Sequence, residues 1–203
     1  MDREGWNRRY ETAELVWTAE PNRFLVAETA SLTPGSALDL GAGEGRNAVW
    51  LARQGWQVTA VDFSDIGLAK ATQLAAAAGV EVTTVCADAA DHTPPPGGSD
   101  LVTILYLHLP STQRRDVYRR AANGVAPGGS LLVVGHDATN LDEGYGGPQD
   151  PDVLFSPDDI VADLAASGLL IEKAERVRRT VGSPAGERVA IDALVRAYRP
   201  RAG

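Results

Sequence analysis

Three glycines alternate in the run Leu38-Asp39-Leu40-Gly41-Ala42-Gly43-Glu44-Gly45. Glycines so placed let the backbone turn tightly and approach a ligand closely. The nicotinamide and flavin fingerprint, G-x-G-x-x-G, needs its third glycine at position 46, which is Arg46. No Gly-Lys-Ser/Thr follows, so the run is not a phosphate-binding P-loop. Asp39 stands two residues before the first glycine. A pyrophosphate gains nothing from that acid, whereas a ligand with a cationic end gains a counter-charge. Two further stretches carry reactive side chains, Tyr106-Leu107-His108-Leu109-Pro110 and Gly135-His136-Asp137. Histidine can take a proton near neutral pH, which makes His108 and His136 candidate general bases and Asp137 the candidate orienter of an imidazole. The other reading of each histidine is one that orders a loop or caps a helix. These three residues are suitable metal ligands by type, but their spacing fixes no geometry and no metal is assigned.

The elements that must position these residues alternate. Ser36–Leu40, Gln57–Val61, Val80–Cys86, Asp100–Leu105 and Ser130–Val134 are short apolar runs bounded by turn residues, and they read as buried strands. Helical patterns lie between them at Arg46–Gln54, Asp65–Ala78 and Ser111–Asn123, the last N-capped by Ser111 or Thr112. Thr139–Pro151 reads as an irregular loop of a length usually kept for function. Pro157–Ser167 follows as a helix with Ser156 as N-cap. Leu169–Thr180 and Arg188–Tyr198 form a closing hairpin around Gly182–Gly186. This βα alternation predicts a doubly wound, mostly parallel α/β sheet. The glycine loop, His108 and His136 then all fall at the carboxyl ends of strands, the edge that carries the ligand crevice.

The run Asp39–Gly45 resembles the first motif of class I S-adenosylmethionine-dependent methyltransferases. Their cofactor carries an ammonium and a sulfonium and no phosphate. Asp62 ends the second strand in Ala-Val-Asp-Phe-Ser, where an acid can accept hydrogen bonds from both ribose hydroxyls. Ala87-Asp88-Ala89 follows the third strand, where family members place an acid against the adenine amino group, and Ala126-Pro127-Gly128-Gly129 before the fifth strand is another family habit. The resemblance covers nearly the whole chain. Gly45-Arg46-Asn47-Ala48 and the compact size are similar to small bacterial members, including relatives of the tellurite-resistance methyltransferase. What it implies is a Rossmann-like seven-stranded sheet in the order 3-2-1-4-5-7-6 with an antiparallel last strand. It also implies S-adenosylmethionine as cofactor and S-adenosylhomocysteine as product. The implied cofactor residues are Asp39, Gly41, Ala42, Gly43, Gly45, Asn47, Asp62, Phe63, Ser64, Asp88, Ala89 and Leu105. An N-terminal cap over residues 1–35, on a core of 36–203, would place Trp6, Tyr10 and Trp17 over the crevice, facing Tyr106.

Composition bounds the rest. A chain of 203 residues, 44% hydrophobic and 23% charged, suits one globular domain. Nineteen Lys and Arg against 27 Asp and Glu give a net charge of −8, which argues against nucleic acid or an anionic membrane and for a small-molecule acceptor. Cys86 is the single cysteine, so neither an intrachain disulfide nor a thiolate cluster is available. The polar N-terminus and the lack of any apolar run near ~20 residues predict a cytoplasmic protein, monomeric or homodimeric. Two rival functions follow from the same features. A nicotinamide oxidoreductase is opposed by Arg46 and Asp39, and a non-catalytic module on this fold is opposed by the intact glycine loop and Asp62.

Overall fold

A computed structural model describes residues 2–12 and 14–201; the remaining ends of the expected 1–203 domain lie outside the described residues. Two short helices come first, α1 (Arg3–Tyr10) and α2 (Arg23–Thr29). The alternating core follows: β1 (Ser36–Leu40), α3 (Arg46–Arg53), β2 (Gln57–Asp62), α4 (Asp65–Ala77), β3 (Thr83–Cys86), β4 (Ser99–Leu105), α5 (Ser111–Gly124) and β5 (Val125–His136). After β5 come α6 (Asn140–Glu143), a 3-10 turn (Pro151–Val153), α7 (Pro157–Leu164) and the hairpin β6 (Leu170–Ser183) and β7 (Gly186–Tyr198).

The seven strands form one sheet in the order β3-β2-β1-β4-β5-β7-β6, as the resemblance implies. β7 runs antiparallel to β5 and β6, and the other pairs are parallel. The strand order reverses beside β1, since β2 lies on one side of it and β4 on the other. Leu40 stands opposite Val61 and Ile104, and Leu105 opposite Val134, so β1, β2, β4 and β5 end at one edge. That edge at the reversal point is where open α/β sheets place ligands.

Successive side chains alternate between the two faces of a strand. Leu38, Leu40, Val102, Ile104, Leu131 and Val133 accordingly pack on one face against Tyr118, Phe155, Ile160 and Leu164. Ala37, Val58, Ala60, Leu101, Leu132 and Val134 pack on the other against Leu25, Ala48, Leu51 and Leu68.

Three local expectations change. β3 begins at Thr83 rather than Val80, because Gly79, in the left-handed region, and Val80 close α4 by donating to the carbonyls of Ala76 and Ala75. α5 has Pro110 at its N-cap, and no side chain from Ser111 or Thr112 caps it. Thr139–Pro151 contains the short helix α6, held by tertiary bonds: Asn140 Oδ1 accepts from the Ile191 amide and Asn140 Nδ2 donates to the Gly146 carbonyl. The α7 cap is as read, with Ser156 and Asp159 in a reciprocal capping box ahead of Pro157. No helix among the described residues is long and apolar enough to cross a membrane.

Candidate functional site

The glycine loop leaves β1 at the strand-order reversal. Gly43 and Gly45 have φ of 55° and 80°, in the region L side chains avoid. A Cβ on Gly43 would lie 2.8 Å from the Tyr10 hydroxyl, and one on Gly45 would lie 2.5 Å from the Ala71 Cβ. Only glycine lets the turn close this tightly between α1 and α4. Asp39 is buried beneath the loop, where its Oδ1 accepts from Thr103 Oγ1 at 2.7 Å and its Oδ2 has no partner. Burial pushes its pKa up to about 6, against the bond from Thr103. Asp62 binds both sides of the crevice entrance, Oδ2 accepting from the Gly43 amide and Oδ1 from the Ser64 amide, each at 2.8 Å. Burial raises its pKa despite those bonds. Asp88 accepts the Ala90 amide at 2.8 Å and so shapes the turn after β3. Leu105 is the last residue of β4, Phe63 follows β2 directly, and Ala89 lies in the turn three residues after β3.

The N-terminal segment is fastened across this loop. Tyr10 is buried on Gly43 and Gly67, and burial with the Asp62 charge pushes its phenol up to about 12. Asn47 Oδ1 accepts from the Asn22 amide and Ser64 Oγ donates to Asn7 Oδ1, so these two expected cofactor residues spend those atoms on the segment. The main tie is Glu44, a buried acid that accepts from the amides of Val16 and Trp17 and from Lys70 Nζ. The Arg9 guanidinium lies over both the Trp6 and the Trp17 ring, 5.3 and 5.0 Å from their centroids.

A second cluster sits past the ends of β4, β5 and β7. Tyr106 has φ of 58°, the only positive value outside glycine among the described residues. Its hydroxyl donates to Asp192 Oδ2 at 2.8 Å, and Arg179 Nε donates to the same oxygen at 2.7 Å. Burial and the Asp192 charge push the Tyr106 phenol up. The His108 ring stacks on His136 with centroids 5.4 Å apart. His108 Nε2 accepts the His136 amide at 3.1 Å and the ring also bonds the Tyr106 backbone; burial lowers its pKa to about 3. His108 is thus placed to order its loop, with its Nε2 engaged by the His136 amide. His136 also stays neutral, lowered to about 4 by burial and by Arg179. Asp137 does not orient it. Neighbours along a strand face opposite ways, and Asp137 turns to Arg176, which donates at 2.9 Å, and to Thr139. The carboxylate beside His136 is Asp192, its cross-strand partner, with Oδ1 3.3 Å from Nδ1. Among the described residues, no group of three or more His, Cys, Asp or Glu is arranged to hold a metal.

Residues 37–129, from β1 into β5, match the family described as "Methyltransferase domain". That stretch matches a methyltransferase domain, and the fold is the one class I S-adenosylmethionine-dependent methyltransferases share. The sheet extends beyond the matched residues through β7. It superposes with a TM-score of 0.79 and 22% identity on a protein solved in work on conversion of a disulfide bond into a thioacetal group during echinomycin biosynthesis, over 99% of this chain and 93% of that one. TehB from Haemophilus influenzae gives a TM-score of 0.73 at 17% identity, over 97% of this chain and 66% of that one. In sequence, the chain is 35% identical over 106 residues to the ribosomal RNA small subunit methyltransferase C of Alcanivorax borkumensis, covering 50% of this chain. It spans only 32% of that enzyme's length. Three residues of these two clusters are not singled out by the sequence: Glu44, Arg179 and Asp192. Glu44 carried one signal, an acid between two glycines. The other two had none without the β5–β7 register.

Proposed function

We propose that the chain transfers a methyl group from S-adenosylmethionine to a small-molecule acceptor. The observation that carries this is Asp39 Oδ2, a buried carboxylate oxygen without a partner at the base of a glycine loop. An unpaired buried acceptor is costly unless a ligand completes it, and a cationic amino group is the complement that an acid needs. The residues fit the cofactor. Asp39 and the Gly41–Gly45 loop would hold its amino-acid end, Asp62 its ribose and Asp88 its adenine, with Phe63, Ala89 and Leu105 walling the crevice. When bound, the cofactor supplies a methyl group already activated by a sulfonium.

The chain's share is alignment and exclusion of water, and holding two reactants in line is worth ~7–11 kcal/mol of barrier. Residues 1–35 act as the lid, with Glu44 fastening Val16 and Trp17 across the loop. A crevice closed by such a lid would suit a small acceptor, and the net charge of −8 opposes an RNA one. The experiment is transfer from methyl-labelled S-adenosylmethionine into either a low-molecular-weight extract or purified ribosomal RNA. Label in the small-molecule fraction supports the reading. Label confined to RNA, or in neither fraction, overturns it.

A further inference from the structure

The cluster past the ends of β4 and β5, beside β7, bears on what kind of acceptor is methylated. Asp192 lies wholly buried on β7, and its two oxygens have different surroundings. Oδ2 accepts from Tyr106 and Arg179 at 2.8 and 2.7 Å. Oδ1 has no hydrogen bond and stands 3.3 Å from His136 Nδ1, itself buried and without a partner. His136 and Asp192 are paired residues of adjacent antiparallel strands, so their side chains share a face. Tyr106 is held in a left-handed conformation to reach this carboxylate, and backbone of that kind concentrates at functional sites. A carboxylate fixed by two donors, with its free oxygen against an imidazole nitrogen, keeps the proton on that nitrogen and leaves the other nitrogen basic.

We propose that Asp192 is the positioning residue of a His136–Asp192 dyad that accepts the proton of a phenolic or enolic hydroxyl as it is methylated. This rests on the methyltransferase reading above. The acceptor O–H bond breaks and its proton goes to His136 Nε2. The freed oxygen pair forms the new O–CH3 bond, and the C–S pair leaves with sulfur as a neutral thioether. The positive charge passes from sulfonium to imidazolium, beside Asp192, and the proton is then lost to water. A thiolate or an oxyanion arrives without a proton to lose and would leave the dyad idle. A phenol, with a pKa of about 10, needs such a base. Arg179 and Arg46 are the cations that face the cluster, and they suit an oxygen that turns anionic during transfer. His108 Nε2 is occupied by the His136 amide and is not free to take that proton.

The test has two arms on the full chain. Nitrogen-15 NMR of the His136 ring should show the proton held on Nδ1 in the wild type. In Asp192→Asn that tautomer preference should weaken. A wild-type proton on Nε2, or a ring unaltered by Asp192→Asn, overturns the dyad. In the second arm, 4-hydroxybenzoate and other simple phenols are compared with thiophenol and benzylamine. Asp192→Asn and His136→Gln should each cut kcat on phenols about 10²-fold or more, with KM and S-adenosylhomocysteine affinity little altered. Asp192→Glu should restore part of the rate. Full activity in both variants, or methylation of no hydroxyl compound, overturns the acceptor class. Loss of S-adenosylhomocysteine binding by the wild type would instead overturn the underlying reading, so the two failures are distinct.

Discussion

Replacing Glu44 with alanine isolates the contribution of the N-terminal segment. Glu44 Oε1 accepts from the Val16 amide at 3.0 Å and from Lys70 Nζ at 3.0 Å, and Oε2 accepts from the Trp17 amide at 3.1 Å. Hydrogen bonds to a charged acceptor are worth ~1.5–3 kcal/mol each. Taking the low end for the two backbone bonds gives about 3 kcal/mol. The ion pair adds little beyond that, because Lys70 keeps the Glu14 carbonyl at 2.8 Å. Water reaches the freed amides, so the expected loss is ~2–3 kcal/mol, or ~5–10 °C in Tm for a chain of this size. Amide exchange locates the loss. Protection should fall at Val16, Trp17 and α1 while the sheet amides of β1, β4 and β5 keep theirs. S-adenosylhomocysteine should also dissociate faster. Unaltered protection across residues 3–22 would refute the claim that Glu44 fastens this segment.

Asp39→Asn should stabilise the ligand-free protein. A carboxyl raised to about 6 from 3.8 costs stability as pH rises between those values, because the folded chain holds the proton that the unfolded chain releases. The substitution should therefore gain ~2–3 kcal/mol at pH 7 and little at pH 4 in urea unfolding, while weakening cofactor binding; no gain at pH 7 would contradict the burial argument. Gly45→Ala meets Ala71 at 2.5 Å from a φ of 80°, so it should lose roughly 2–4 kcal/mol by the same method. His108→Ala should lower stability by ~1–3 kcal/mol through its lost backbone bonds, yet leave the pH dependence of turnover to His136. A rate profile governed by His108 would contradict this.

How much was legible follows from where each constraint acts. β1 was readable because Pro34-Gly35 and Gly41 bound five residues, and α7 because Ser156, Pro157 and Asp159 form a local cap. The glycine loop and Asp62 were readable because their spacing is set by one βα unit. The cluster around His136 was not. Asp137 is next to His136 in sequence, which made it the natural partner, but strand alternation turns it toward Arg176. Asp192 reaches the site only through the register of β5 on β7, and Tyr106 and Asp192 are 86 residues apart. His108 read as a base because nothing local reveals that the His136 amide occupies its nitrogen. Glu44 differs again: its partners Val16 and Trp17 belong to a segment whose path depends on the finished loop.

Calorimetric titration with S-adenosylhomocysteine probes the proposed site of Asp39, the glycine loop and Asp62 itself. One site per chain is expected in the wild type, weakened by a few kcal/mol at most in Asp62→Ala, the scale of lost hydrogen bonds to a buried partner. Absence of binding by the folded wild type, or binding that Asp62→Ala leaves untouched, would contradict it.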